Sequence, residues 1–268
     1  MLDAGTLGTS CAAARLGESL VCGWVYSDAA GETLAEAIEL RLQALDDSLT
    51  GGRTPTIERA LVRDEDWANT WKSHFKPIRV GRHLVVKPTW EPFEPQEGDI
   101  IIEIDPKMAF GTGSHASTRM CLEVIEERVT PGMHMIDVGC GTGILAIAAA
   151  KLSATVTAID VDPVAVRTCH ENIVLNGVAD SVTVKLENSL EGTVEAADLI
   201  VANITGDAVA ALAADAAALL VPGALYVCSG FSDASVPQVT AGLGQADLTV
   251  TSQRREGEWL CLISSHFV

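Results

Sequence analysis

The chain has 268 residues, 48% of them hydrophobic and 20% charged, so it is long enough for one large domain or for a standard domain with a smaller one. It contains neither the roughly 18 consecutive apolar residues of a membrane-spanning helix nor the pattern of a secretory signal, so we expect a soluble, cytoplasmic protein. With 18 basic and 36 acidic residues, the net charge is −18, which argues against nucleic acid as the direct substrate.

The basic residues are unevenly distributed along this acidic chain. Eight of the 18 lie between Arg53 and Lys87, where only four acidic residues oppose them. This stretch is either a solvated linker surface or a contact surface for an anionic partner.

The seven cysteines are odd in number and widely spaced. They form no Cys-x-x-Cys pair, and no histidine stands near one at a spacing typical of zinc ligands. We therefore predict reduced thiols, with neither a disulfide framework nor a structural metal.

Residues 1–55 read as a small α+β domain. Ser19–Ser27 is an apolar, β-rich run typical of a strand, and residues 31–49 show the periodicity of an amphipathic helix. Residues 56–95 follow as a connector, and residues 96–268 form the main domain.

A glycine-rich segment, Phe110–Gly113, precedes the helical run Thr118–Arg128 and is too rich in glycine for a helix interior. It predicts a lid in which Phe110 packs against a flat ring of a bound ligand and Thr112 hydrogen-bonds to that ligand. His115 has two interpretations: it is a general base, or it caps the following helix, which is the more ordinary role.

The pattern Asp137-Val-Gly139-Cys-Gly141-Thr-Gly143 stands directly after an apolar strand and directly before a helix. Its glycines let the backbone turn tightly and approach a ligand closely, and the helix N-terminus offers free amides to a carboxylate. We therefore expect a cofactor to bind at this turn. The spacing Gly-x-Gly-x-Gly, rather than Gly-x-Gly-x-x-Gly, favours S-adenosylmethionine over NAD.

Asp160 ends the following strand, 17 residues after Gly143. A carboxylate in this position accepts hydrogen bonds from both ribose hydroxyls of a nucleoside that lies over the strand ends. The alternative role of capping the next helix suits Asp162 better, because Pro163 then takes the first helical position.

Two asparagines follow later strands. Asn188, with Ser189, stands where an adenine base would lie beyond the third strand, although an ordinary loop explains this pair equally well. Asn203 ends the strand Asp198–Ile204 and should face the same crevice. Its amide either orients a nucleophile by accepting a hydrogen bond from it or caps the strand end.

From Met133 onward, short β-rich runs alternate with Ala- and Leu-rich helical segments, which predicts βαβ units and a parallel sheet. The last segment, Leu248–Ser265, reads as two strands joined by a charged turn, so the sheet should end in an antiparallel hairpin. We therefore predict a doubly wound, Rossmann-like α/β fold of the class I methyltransferase type. Its sheet is mostly parallel with an antiparallel C-terminal strand, and the small α+β domain precedes it.

Five motifs occur together and in order: Asp66–Pro77, Asp105–Thr118, Asp137–Gly143, Val201–Ile204 and Gly257–Trp259. On these motifs the chain, from about Asp64 to Val268, resembles the ribosomal protein methyltransferases of the PrmA type. The resemblance implies an enzyme that uses S-adenosylmethionine to methylate lysine ε-amines and the N-terminal α-amine of a large-subunit ribosomal protein. It also implies a cofactor or methyl-acceptor site lined by Phe110, Thr112, Gly139, Gly141, Asp160 and Asn203.

The chain departs from the family pattern at three places. Where the family has Asp-Pro-Gly, this chain has Asp105-Pro-Lys107. Where the family has His-Pro-Thr-Thr, this chain has His115-Ala-Ser-Thr118. The segment Ile204–Asp207 is also more polar than the family pattern leads us to expect. The resemblance also implies a ferredoxin-like substrate-recognition domain at the N-terminus. Leu2–Ser10 resembles the end of the first helix of that domain, so its opening strand and most of that helix are expected to be missing.

Two alternatives remain open. A methyltransferase for another protein or for a small molecule would keep the same cofactor residues, and a non-catalytic module would bind the cofactor without turnover. The enzyme interpretation assigns orientation of the acceptor amine to Asn203 and leaves His115 as a candidate proton acceptor. We expect a ribosomal protein as partner and no membrane contact, and the oligomeric state stays open.

Overall fold

The structure of the chain is a computed structural model, which describes residues 8–15, 18–24, 29–43, 75–107, 111–190 and 195–266. The chain divides into two compact units between Trp71 and Lys72. Among the described residues, no helix is long and apolar enough to cross a bilayer.

The first unit contains a β-hairpin and a helix. Strand β1 (Gly8–Arg15) pairs antiparallel with strand β2 (Glu18–Trp24), and helix α1 (Ala29–Gln43) follows. The predicted strand and helix correspond to β2 and α1. The expected helix end at Leu2–Ser10 is wrong where the structure describes it, because Gly8–Ser10 pair with β2. Strand formation depends on such pairing more than on local sequence, and residues 2–7 lie outside the described residues.

The second unit begins with a three-stranded sheet of β3 (Ile78–Val80), β4 (Leu84–Pro88) and β5 (Ile100–Ile104). Strands β3 and β4 are antiparallel, whereas β4 and β5 are parallel. The sequence predicts a connector over residues 56–95, but residues 78–88 contain β3 and β4. Their runs of three and five residues are too short for a clear strand periodicity.

Part of the basic stretch lies in or beside this small sheet, and three of its cations are paired with carboxylates. The pairs are Lys76–Glu91 (2.7 Å), Arg79–Asp99 (2.6 Å) and Lys87–Glu103 (2.8 Å). Because these carboxylates neutralise the cations locally, the described part of the stretch favours a solvated surface over a contact surface for an anionic partner.

The main body of the second unit is a seven-stranded sheet with helices packed against it. Its strands, in chain order, are β6 (His134–Val138), β7 (Thr155–Asp160), β8 (Val182–Leu186), β9 (Ala197–Asn203), β10 (Leu220–Ser232), β11 (Leu248–Glu256) and β12 (Trp259–His266). The helices are α2 (Ala116–Arg128), α3 (Ile144–Lys151), α4 (Pro163–Leu175), α5 (Gly206–Leu219) and α6 (Val236–Gln245), with a 3-10 turn at Asp233–Ser235.

The strand order in this sheet is β11-β12-β10-β9-β6-β7-β8. Neighbours from β10 to β8 run parallel, and β12 runs antiparallel to both β10 and β11. The predicted fold is therefore confirmed: the sheet is mostly parallel and ends in an antiparallel hairpin.

The centre of the sheet is its most apolar part. Strands β6 and β9 are buried along almost their whole length, as parallel strands covered on both faces are. Helix α3 is buried from Ile144 to Ala150, which suits a helix that is apolar on all sides. The sheet continues from β6 to β7 on one side and to β9 on the other, so a crevice forms at the carboxyl ends of β6 and β9.

Lys107, three residues beyond β5, has a left-handed backbone conformation with φ of +46°. The family pattern has glycine at this position, and glycine takes such a conformation without the steric cost that a Cβ atom brings. The Lys107 ammonium pairs with Glu171 on the surface, a kind of contact that contributes little stability.

We predict that Lys107→Gly is more stable than Lys107→Ala by about 1 kcal/mol, because only alanine carries the Cβ atom. Both variants lose the ion pair with Glu171, so the comparison isolates the backbone. Urea-induced unfolding of the two variants measures the difference. Identical free energies of unfolding would show that the left-handed conformation at residue 107 costs nothing.

Candidate active site

The predicted glycine turn joins β6 to α3 at the carboxyl edge of the large sheet. Gly139 has φ of +71° and Gly143, which precedes α3, has φ of +82°. A Cβ atom on Gly139 would lie 2.3 Å from Cγ2 of Ile204, the residue that follows β9. The turn therefore approaches the end of β9 so closely that a side chain at Gly139 would have to displace Ile204.

The Asp160 carboxylate at the end of β7 supports this turn. One oxygen accepts the amide of Gly141 at 2.9 Å, and the other accepts the amide of Asp162 at 3.0 Å. Each oxygen keeps a second lone pair, so Asp160 still has acceptor capacity for ribose hydroxyls. Asp162 caps α4 through the amide of Val164 at 2.8 Å, with Pro163 at the start of the helix, which confirms the predicted cap.

Asp137 lies two residues before Gly139, and its side chain is fully buried. Oδ2 accepts the amide of Ala146 at 3.1 Å, whereas Oδ1 has no partner among the described residues. Burial raises the pKa of Asp137 to about 7; the bond from Ala146 opposes the rise, and the negative charge of Asp160 adds to it. Because unused acceptor capacity is costly when buried, this oxygen is suited to a donor or cation of a ligand.

Asn203 ends β9 at the same edge of the sheet. Its Nδ2 donates to Oγ1 of Thr118 at 3.2 Å, and Thr118 is fully buried in the first turn of α2. The amide oxygen Oδ1 is also buried, with no partner in the part of the chain that the structure describes. The Thr118 contact thus fixes the amide and leaves its acceptor available.

His115 caps the N-terminus of α2. Its Nδ1 accepts the amide of Ser117 at 3.3 Å and lies 2.7 Å from the hydroxyl oxygen of the same residue. The ring packs edge-on against Trp259, with 4.4 Å between centroids. Burial, with a smaller contribution from the Arg119 cation, lowers the pKa of His115 against the opposing charges of Glu256 and Glu258, which favours the neutral ring. The cap is confirmed, and the role as a base stays a prediction.

The predicted lid is described only in part, since Phe110 lies outside the described residues. Thr112 is half-buried, and its hydroxyl oxygen lies 2.9 Å from that of Ser114. The Thr142 hydroxyl in the glycine turn donates to the carbonyl of Gly111 at 2.7 Å. This bond places Thr112, the next residue, beside the turn.

Glu187, which directly follows β8, is a site residue that the sequence interpretation missed. Its carboxylate oxygen Oε2 is buried and has no partner among the described residues, whereas the predicted Asn188 is exposed. The Glu187 amide donates to the carbonyl of Asp160 at 3.0 Å, so Glu187 lies beside the candidate for ribose binding. Glu187 directly follows Leu186, the last residue of β8, so a carboxylate next to a strand end was the signal available in the sequence.

The resulting edge of the sheet fits S-adenosylmethionine. The buried oxygens without partners, from Asp137, Glu187 and Asn203, lie at or near the ends of β6, β8 and β9, and Asp160 ends β7. The cofactor presents an ammonium, a sulfonium, ribose hydroxyls and an adenine amino group, and these cations and donors complement a set of acceptors. Over the described ranges, no cluster of His, Cys, Asp or Glu side chains could hold a metal ion.

A family model and several known proteins similar to this chain carry the same name. A family model described as Ribosomal protein L11 methyltransferase (PrmA) matches residues 25–266. A protein named ribosomal protein L11 methyltransferase from Pelotomaculum thermopropionicum is 46% identical over 215 residues, which are 80% of this chain and 70% of that protein. Another of that name from Desulfitobacterium hafniense is 42% identical over 258 residues, 93% of this chain and 80% of that protein.

A solved structure agrees with these relatives. The crystal structure of a ribosomal protein L11 methylase from Lactobacillus delbrueckii subsp. bulgaricus is similar with a TM-score of 0.67 at 31% identity, over 71% of this chain and 98% of that one. The match of the family model extends over most of the chain, including the glycine turn, Asp160 and Asn203. The chain therefore belongs to the ribosomal protein L11 methyltransferase (PrmA) family and is a class I methyltransferase whose cofactor is S-adenosylmethionine.

Proposed function

We propose that this enzyme methylates ribosomal protein L11 at lysine ε-amines and at the N-terminal α-amine, and that it does so in the cytoplasm. Relatives at 42% and 46% identity are named for that substrate. The observation that supports an amine as acceptor is the buried, unpartnered amide oxygen of Asn203. Such an oxygen accepts one N–H of a neutral amine and leaves the nitrogen lone pair free for the reaction.

The proposed mechanism depends more on aligning the acceptor amine with the methyl group than on transferring a proton. When bound, S-adenosylmethionine supplies an electrophilic methyl group. Asn203, held by Thr118, orients the amine towards the methyl group. A lysine amine has an ordinary pKa of about 10.4, which burial beside positive charge lowers, so a strong dedicated base is not needed. His115 is the candidate proton acceptor, and it would have to release the Ser117 amide to take up a proton, because a neutral imidazole has one acceptor nitrogen and the cap uses it.

The proposed cofactor contacts follow from the acceptors at the sheet edge. Asp160 accepts the ribose hydroxyls through the lone pairs that its backbone bonds leave free. Asp137 provides negative charge for the ammonium, and the amides at the start of α3 receive the carboxylate. The other proposed contacts are those of Phe110, Thr112, Gly139, Gly141, Gly143, Glu187, Asn188 and Asn203.

Methyl transfer to purified ribosomal protein L11 tests the substrate. We expect the intact mass of the acceptor to rise in steps of one methylene when enzyme and S-adenosylmethionine are both present. Peptide mapping should place the additions on lysines and the N-terminus. An unchanged mass, with cofactor binding to the enzyme shown by equilibrium dialysis, would contradict this acceptor and point to another protein or a small molecule.

We predict that Asn203→Ala lowers kcat for L11 about 100-fold, because the amine loses the group that orients it. The Kd for S-adenosylmethionine, measured by equilibrium dialysis, should change far less. Thr118→Val removes only the hydroxyl that holds the amide, so it should give a smaller loss in kcat and the same Kd. Losses of equal size in kcat and in cofactor affinity would contradict the orienting role.

Cofactor affinity should depend on the ionisation of Asp137. Its pKa of about 7 means that the carboxyl must lose a proton to meet a cation, so we predict that affinity rises roughly tenfold from about pH 5.5 to about pH 7.5. Asp137→Asn should bind more weakly at about pH 7.5 and lose this dependence. Calorimetric titration with S-adenosylmethionine at each pH measures both, and the same pH dependence in both proteins would contradict the assignment.

The same shift has a consequence for the protein without ligand. Because the folded-state pKa of Asp137 lies above its ordinary value, the unfolded chain gives up this proton at lower pH than the folded one. The contribution of Asp137 to stability is therefore complete below about pH 4 and is lost as the pH rises to about 7. Binding of a cation at Asp137 reverses this loss.

A further inference from the structure

Asn172 in helix α4 and Asn176, which caps the end of that helix, lie one turn apart, and each pairs its side-chain amide with the backbone at or next to β5. Asn176 accepts the amide of Glu103 at 2.9 Å and donates to the carbonyl of Glu103 at 2.6 Å. Asn172 accepts the amide of Asp105 at 2.9 Å and donates to the carbonyl of Asp105 at 3.2 Å. Glu103 and Asp105 are two residues apart, so the two amides act on one edge of the strand as a neighbouring strand would.

The two asparagines differ in their third hydrogen bond. Asn176 donates to the carbonyl of Asn172 at 2.8 Å, within its own helix. Asn172 donates instead to the carbonyl of Thr142 at 2.9 Å, inside the glycine turn. Asn172 is only 1% exposed and Thr142 is fully buried, so water does not compete for this bond.

The Thr142 carbonyl determines how the turn enters α3. A peptide group is planar, so fixing this carbonyl also fixes the direction of the Gly143 amide, which donates to the carbonyl of Cys140 at 2.8 Å. A second residue of α4 supports the same position, since a Cβ atom on Gly143 would lie 2.7 Å from Sγ of Cys169. One face of α4 thus holds the part of the turn where the free amides of α3 begin.

We propose that Asn172 is a positioning residue that holds the glycine turn in its cofactor-binding conformation by linking the Thr142 carbonyl to the backbone of Asp105. Asn172 acts through the turn and does not itself touch the cofactor. The proposal rests on the cofactor site, and it is independent of which amine or protein accepts the methyl group. Removing the amide leaves the Thr142 carbonyl buried without its donor, and the turn can satisfy it only by moving away from this conformation.

Asn172→Ala and Asn176→Ala form a matched pair, because each variant loses three hydrogen bonds and only the first loses the bond to the turn. Both should unfold at a lower temperature than the wild type. The Kd for S-adenosylhomocysteine, measured by calorimetry on the full chain, should rise about tenfold or more for Asn172→Ala and less than about twofold for Asn176→Ala; tenfold corresponds to about 1.4 kcal/mol.

Steady-state kinetics at saturating acceptor distinguish a loss of turn positioning from a general loss of structure, because the two affect KM and kcat differently. For Asn172→Ala we expect the KM for S-adenosylmethionine to rise with the Kd, while kcat at saturating cofactor stays within about threefold, because bound cofactor restores the turn. Asn172→Leu has nearly the size of asparagine, brings no buried charge and loses all three hydrogen bonds, so it decides the point if the alanine variant does not fold.

Two results would overturn the proposal. Equal cofactor affinity in the wild type and in Asn172→Leu would show that the bond to Thr142 does not set the turn. Equal losses of affinity in Asn172→Ala and Asn176→Ala would show that α4 acts only by docking β5. A wild-type protein that binds no S-adenosylhomocysteine would instead contradict the cofactor site, and so would remove the basis of the proposal.

Discussion

The turn between β6 and α3 is the element on which the rest of the site depends, and its backbone is bonded from three directions. Asp160 at the end of β7 accepts the Gly141 amide, and Asn172 on α4 donates to the Thr142 carbonyl. The hydroxyl of Thr142 donates to the Gly111 carbonyl, before α2. Because these contacts come from separate segments of the chain, the turn is complete only once the sheet and its helices have assembled. Cofactor binding should therefore report on the packing of the whole domain.

The site has more buried acceptors than donors, and this imbalance determines what it can bind. Oxygens of Asp137, Glu187 and Asn203 lack protein partners among the described residues, and burying an acceptor without a donor costs free energy. A ligand that brings donors and positive charge offsets that cost, whereas an anionic or acceptor-rich ligand would add to it. Transfer of the methyl group removes the positive charge of the sulfonium, so the same set of acceptors stabilises the product less than the substrate.

The sequence was sufficient to place the residues whose position depends on local pattern. The glycine turn, Asp160 and Asn203 all stand at strand ends that the apolar runs mark, and the cap at Asp162 follows from Pro163 beside it. The features that escaped prediction depend on partners far along the chain.

Asn172 bonds to Asp105 across 67 positions, and Asn203 bonds to Thr118 across 85 positions. An asparagine within an amphipathic helix looks like any other polar residue until the strand that it faces is known. Strands β1, β3 and β4 escaped for another reason: β1 and β3 have partners close by in the sequence, but each of the three strands is defined by its pairing rather than by a long periodic run.

Two departures from the family pattern lie on the side of the site where we propose that the acceptor amine binds. Each of them stands at the start of a helix. Ala116 takes the first position of α2, where the family has proline, but Thr118 keeps the hydroxyl that holds Asn203.

The polar segment after Asn203 begins α5: Thr205 precedes the helix, and the negative charge of Asp207 in its first turn complements the positive end of the helix dipole. These polar residues thus stabilise the helix that follows β9. The Asn203 oxygen, which we propose as the contact of the acceptor amine, is buried and without a partner among the described residues despite these departures. The acceptor chemistry expected of the family therefore remains compatible with this chain despite them.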